Sequence, residues 1–211
     1  MIDYWIDYHE RLTTALLQHL QLVSISLAIA LVLAILIVAV FSSRTNWLTS
    51  LIYFFSALYS IPSYAFFALL IPLSGLGTTT AVIVLSLYSE YILLRTFTTG
   101  IQQIDPMVVE AAQGMGMTSQ QVFRKIQLPL AAKSIFSGIR QALTAIIGIA
   151  TIAATINAGG LGTVLFDGLR TQSMVKLLWG TLLTVLLCIA SSLVFKIIEK
   201  VALRKLGLEE V

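Results

Sequence analysis

Residues 20–41 contain no charged side chain and are dominated by leucine, isoleucine, valine and alanine. As a helix rising about 1.5 Å per residue, this run is about 33 Å long and crosses a hydrocarbon core of about 30 Å. Further apolar stretches follow at 47–73, interrupted by Pro62, and at 78–94, 134–156 and 177–195. The chain has 211 residues, so these segments leave little else. The expected architecture is an all-α integral membrane protein with five transmembrane helices, residues 1–211 forming one membrane domain. Composition agrees, with 58% hydrophobic and 11% charged residues, against about 45–50% and about 25% in soluble domains. Mean hydropathy is +0.94. Chemistry that needs an aqueous domain must come from another chain.

Five spans put the termini on opposite sides of the membrane. Arg44, Arg95, Arg124, Lys125, Lys133, Arg140, Lys196, Lys200, Arg204 and Lys205 then share one side, and Arg11, Arg170 and Lys176 the other. The positive-inside rule sets the N-terminus outside and the C-terminus in the cytoplasm. Tyr4, Trp5, Tyr8 and Trp47 lie at span ends, where aromatic rings anchor at the interface. Asp3, Asp7 and Glu10 precede a first apolar run too long for a signal core, which argues against a cleaved signal peptide. The net charge of +3 includes no basic run, so nucleic acid is not an expected partner. Cys188, the only cysteine, excludes an intrachain disulfide and a cysteine zinc site and reads as a packing residue. His9 and His19 have no neighbouring ligands and are expected at the interface rather than in a metal or catalytic site.

The segment 96–133 breaks the membrane pattern and falls on the cytoplasmic side. Asp105-Pro106 reads as an N-cap followed by proline at the first helical position, with Gly114 and Gly116 ending the helix. Thr118 and Gln121 form a capping-box pair opening a second helix through Ile126, expected to stop near Pro129. A DNA-binding helix-turn-helix is excluded by the tethers at both ends and the few basic residues. Pattern alone also allows an amphipathic pair resting on the bilayer surface.

Glu110-Ala111-Ala112, Gly116 after three residues, and Ile126-Gln127-Leu128-Pro129 after nine more match EAA-x3-G-x9-I-x-L-P at every defined position. This resembles the EAA loop of ABC-importer permeases. The resemblance implies a type I (MetI-like) permease fold whose loop docks, around Glu110, Ala111, Ala112 and Gly116, onto an ABC ATP-binding subunit dimer. Ile126, Leu128 and Pro129 complete that loop. The sequence contains no G-x4-G-K-[ST] motif; ATP and Mg are thus assigned to the partner, with no cofactor in this chain. A second permease, identical or paralogous, and an extracytoplasmic substrate-binding protein are implied as well. The implied place is the bacterial plasma membrane, as a multi-pass protein.

Ser60-Ile61-Pro62-Ser63, Thr99-Gly100-Ile101, Ile104-Asp105-Pro106, and Gly148 to Ala154 leading to Ala158-Gly159-Gly160-Leu161-Gly162 are similar to the glycine betaine/carnitine/choline permeases of the OpuC and OpuB type. That resemblance implies an osmoprotectant cargo. Methionine permeases share the Ala-Gly-Gly-Leu-Gly element, so another small solute such as an amino acid is the alternative. An ion-coupled carrier acting without an ATPase is the rival mechanism, with Glu90 as its ion site. No paired acid and base or metal cluster marks the spans, so the chain is expected to be non-catalytic.

Pathway candidates are Tyr59, Pro62, Tyr64, Glu90, Asn157, Gly159 and Gly160. Pro62 removes a helical hydrogen bond and is expected to kink the second span, with Tyr59 and Tyr64 flanking the kink and able to attract a quaternary ammonium. Glu90, an acid where an apolar residue is usual, either pairs with Arg95 or Arg140 or faces the pathway. Asn157, where glycine is usual, begins a stretch that must leave regular helix and serve as a turn, a gate or a docking seat.

Overall fold

The structure is a computed structural model and describes residues 2–41 and 45–205. Arg44 lies outside the described residues. All regular structure among them is helical.

Helix α1, Ile2–Phe41, is 40 residues long, about 60 Å, roughly twice the thickness of a bilayer's hydrocarbon core. It contains no glycine or proline to interrupt it. Its buried positions, Leu12, Ala15, His19, Leu22, Ser26, Ala30, Ala34 and Val38, recur every three or four residues and form one stripe. Tyr4 stacks on Tyr8 and Trp5 on Trp179, so these aromatics pack at the N-terminal end of α1.

Helix α2, Thr45–Tyr59, and α3, Ser63–Ser74, belong to the expected second span. They meet at 99°, a break rather than a kink. Pro62 offers no N–H and drives Ile61 out of helical geometry. The freed groups are reused locally. Ile61 N–H donates to Leu58 O, and the Tyr88 hydroxyl donates to Ile61 O. Phe66 N–H to Pro62 O then opens α3.

Helix α4, Thr78–Gln102, stands at the centre, packed against α1, α2, α3 and the later helix Ala132–Ala150. Val84, Leu85, Leu93 and Leu94 are fully buried on it. Helix α8 spans Ala132–Ala150. It crosses α4 so closely that a Cβ on Gly138 would lie 2.0 Å from Thr96 Oγ1. Within the expected span 134–156 the α-helix runs to Ala150 and a 3₁₀ turn covers Ile152–Ile156. Helix α9 covers Gly162–Arg170 and α10 Met174–Lys205. Among the described residues three helices, ending at Phe41, Gln102 and Lys205, are long and apolar enough to cross a membrane, or four if the bent pair is one span.

Segment 96–133 is folded. Helix α4 continues to Gln102, α5 is Pro106–Gly114 and α6 is Ser119–Val122. The chain does not stop at Pro129. A π turn at Phe123–Gln127 and the short α7, Leu128–Leu130, lead almost directly into α8. Leu128 N–H bonds five residues back to Phe123 O, and Ala131 N–H bonds to Gln127 O. This wider register accommodates the missing proline donor within a nearly continuous helix.

Candidate functional site

Two constructions occupy opposite ends of the bundle. At the α4 C-terminal end, Asp105 caps α5 by accepting from Met107 N–H at 2.9 Å, with Pro106 following. The end of α5 is a Schellman closure. Gly116 N–H donates to Gln113 O at 2.9 Å and Met117 N–H to Ala112 O at 3.2 Å. Gly116 adopts φ +84°, a left-handed geometry that glycine takes without a Cβ clash. Thr118 and Gln121 then exchange both capping-box bonds, Thr118 N–H to Gln121 Oε1 at 2.8 Å and Gln121 N–H to Thr118 Oγ1 at 3.3 Å.

Ala112 faces inward at 2% exposure, whereas Glu110 and Ala111 face outward. Met107 and Met115 are 74% and 76% exposed, so α5 presents an uncovered apolar surface beside Glu110. Glu110 also borders a cavity of about 350 Å³ shared with Thr98, Gln102 and Gln127. Ile126 and Pro129 are half-buried on the π turn and α7, and Leu128 is exposed.

At the opposite end, the glycine loop after α8 is clamped onto α1. Asn157 takes φ +62°, which an asparagine tolerates, so its departure from glycine leaves the turn intact. Gly159 and Gly160 follow at φ +82° and +83°. Gly160 N–H donates to Gln18 Oε1 at 3.1 Å, and Leu161 N–H to His19 Nδ1 at 3.3 Å. Because Nδ1 accepts, Nε2 carries the hydrogen and donates to Ile147 O at 3.0 Å. His19 is fully buried between α1, α8 and the glycine loop. His9 is exposed. A cavity of about 600 Å³ beside the clamp is lined by Gln18, Gln21, Thr78, Thr79, Asn157 and Gly159.

The same end carries an ionic cluster centred on Asp167 of α9. Lys176 Nζ lies 2.9 Å from it, Arg11 Nη2 at 3.1 Å and Arg170 Nη2 at 3.2 Å. The Lys176 hydrogen bond, aided by Arg170 and the charge of Arg11, holds the Asp167 carboxyl down at about 2. These are the three basic residues assigned to the minority side of the membrane by charge. What sequence reading missed is that all three share one carboxylate.

Between the two ends, Tyr59 contacts Tyr88 and Tyr91, with ring centroids at 5.3 and 4.9 Å. Pro62 sits at the break just beyond. Tyr64, 64% exposed, takes no part in this ring cluster. Glu90 is 1% exposed and neither carboxylate oxygen has a hydrogen-bond partner. The expected ion pair is absent: Arg140 binds Glu199 at 2.7 Å, and Arg95 donates to the Tyr91 hydroxyl at 2.9 Å. Glu90 lies one turn beyond Ser86, whose hydroxyl reaches Ser26 O on α1, so it shares the α1-facing side of α4. Among the described residues no cluster of potential metal ligands occurs.

The same chain fold is found in an inward-facing conformation of the MetNI methionine ABC transporter. The TM-score is 0.80 at 17% identity, covering 95% of this chain and 98% of that one. At that identity the likeness shows the fold alone, an all-helical membrane-transporter chain fold. The chain belongs to the family of binding-protein-dependent transport system inner membrane components, whose model matches residues 26–207. It is 36% identical over 194 residues to the osmoprotectant import permease protein OsmW of Salmonella typhimurium, covering 89% of this chain and 90% of that protein. Over 183 residues it is 30% identical to the glycine betaine/carnitine/choline transport system permease protein OpuCB of Bacillus subtilis, covering 87% and 84%. The chain is thus a non-catalytic permease component of an ABC importer.

Proposed function

We propose that this chain forms one half of the translocation pore of an ATP-driven importer for quaternary ammonium osmoprotectants: glycine betaine, carnitine or choline. The cargo reading is supported by the relatives named for osmoprotectant and for glycine betaine, carnitine and choline transport. The observation that carries the coupling reading is α5. It is capped at both ends, reversed at Gly116, and leaves Met107, Glu110 and the C-cap Met115 exposed among the described residues. An ABC ATP-binding subunit dimer, which binds ATP and Mg, docks there. Closure of that dimer pushes α5 and, through the nearly continuous rod of α6, α7 and α8, moves the spans.

In this reading five spans cross the membrane, counting α2 with α3 as one and α8 as another, with the N-terminus outside. The convergence of Arg11, Arg170 and Lys176 at the glycine-loop end supports that orientation. The extracytoplasmic binding protein delivers cargo at this end, near the cavity beside Asn157 and Gly159. A second permease, identical or paralogous, completes the pore. The test is to purify the chain with the subunits that accompany it and measure uptake of labelled glycine betaine, carnitine and choline in vesicles. Recovery of an ATPase and uptake of at least one solute are expected; a preparation without an ATPase contradicts the reading.

A further inference from the structure

We propose that the groove between α4 and α8 is a transient subsite for a small zwitterion, with Arg95 taking its carboxylate and the Tyr59 ring, packed against the groove-lining Tyr91, its quaternary ammonium. This rests on the proposed osmoprotectant transport and assigns the groups within the pore that read the cargo.

The groove has a volume of about 450 Å³ and is lined by Tyr91, Arg95, Thr99, Ser134, Ser137 and Gln141, among others. Hydroxyls and an amide of this density do not suit a surface facing lipid tails, whereas they suit a wetted path or a second subunit. The Arg95 side chain is exposed. Four other basic groups are matched to carboxylates: Arg140 to Glu199, and Arg11, Arg170 and Lys176 to Asp167. Arg95, by contrast, has only the neutral Tyr91 hydroxyl, and among the described residues no carboxylate pairs with it. That bond anchors the guanidinium and leaves its other donors directed to an anion.

The aromatic half lies next to it. The guanidinium carbon lies over the Tyr91 ring, 6.0 Å from its centroid, and the Tyr59 ring of α2 packs against Tyr91 with centroids 4.9 Å apart. Tyr59 is 36% exposed, leaving ring surface for a cation. Tyr88, Tyr91, Arg95 and Thr99 follow one another at three- or four-residue steps on α4, so aromatic, cationic and hydroxyl groups form one continuous stripe. A fixed cation beside a cation-attracting ring pair complements a molecule bearing both charges. Glycine betaine and carnitine carry both; choline lacks the carboxylate.

The test is equilibrium binding of radiolabelled glycine betaine and of choline to the full chain, co-purified with its partner subunits in nanodiscs and without the extracytoplasmic binding protein. Arg95→Gln is expected to weaken glycine betaine binding about tenfold while leaving choline within about twofold, since a charge-assisted bond is lost only for the former. Arg95→Lys recovers part of that loss. Tyr59→Leu weakens both ligands, and Tyr59→Phe neither. Equal losses for both ligands in Arg95→Gln, no loss for either, or no saturable binding by the wild type overturns the subsite. ATP-dependent uptake by the same wild-type assembly, supplied with binding protein, separates the two levels. Uptake without the Arg95 pattern rejects the subsite alone, whereas no uptake of any trimethylammonium solute rejects the cargo reading beneath it.

Discussion

His19 uses both ring nitrogens from a fully buried position, one on the glycine loop and one on α8. His19→Ala orphans the Leu161 N–H, at a cost of about 1–3 kcal/mol for a buried group. The expected result is a lowered denaturation midpoint of the purified protein, together with faster amide exchange around residues 158–162. Sequence gave no sign of this role, because the partners are backbone groups 128 and 142 residues away, to which no side-chain pattern points. Glu90 is legible as an anomaly, but nearness to Arg95 and Arg140 at one end of the bundle does not make a pair, since both arginines are engaged elsewhere. Asp167 supports a prediction on pH. Its carboxyl is lowered from 3.8 to about 2 in the folded chain, so its stabilisation is fully present above the ordinary carboxylate range and is lost as pH falls through about 2. Asp167→Asn should therefore be less stable than wild type at neutral pH, with the difference shrinking as pH falls below about 4. A pH-independent difference between their denaturation midpoints contradicts this ionic account.

At the scale of elements, local chemistry was the most legible. Asp105-Pro106, Gly116 and the Thr118–Gln121 pair each made the hydrogen bonds their residue types imply, because caps and reversals depend on neighbours a few residues away. Where a proline met tertiary packing, the sequence was ambiguous. Pro62 became a right-angled break because Tyr88 from α4 receives the freed Ile61 carbonyl. Pro129 became no break at all because a π turn absorbs it. The reversal at Gly116 carries its own prediction. Gly116→Val forces a β-branched side chain to φ +84°, a cost of at least about 1–2 kcal/mol, paid locally on an exposed turn. Expression and membrane insertion are expected to persist, while substrate-stimulated ATPase activity of the assembly is lost. Undiminished stimulation means that α5 does not transmit the motion.

For the whole molecule, hydropathy located the apolar segments but not their lengths. Helix α1 continues far beyond the uncharged run because its polar first half has its own buried stripe, ending in His19, which packs under the glycine loop. The two constructions at opposite ends, a capped helix with an uncovered apolar face and a glycine loop clamped to α1, are joined by α4 and α8 packed at near contact. Such a body can relay a push at one end to the other, and in the proposed importer ATP hydrolysis in the partner supplies the push. The most direct measurement is uptake of labelled glycine betaine by the reconstituted assembly, supplied with binding protein, with and without ATP while the membrane potential is held constant. Uptake only with ATP is the predicted result; equal uptake without ATP contradicts the account and identifies an ion-coupled carrier instead.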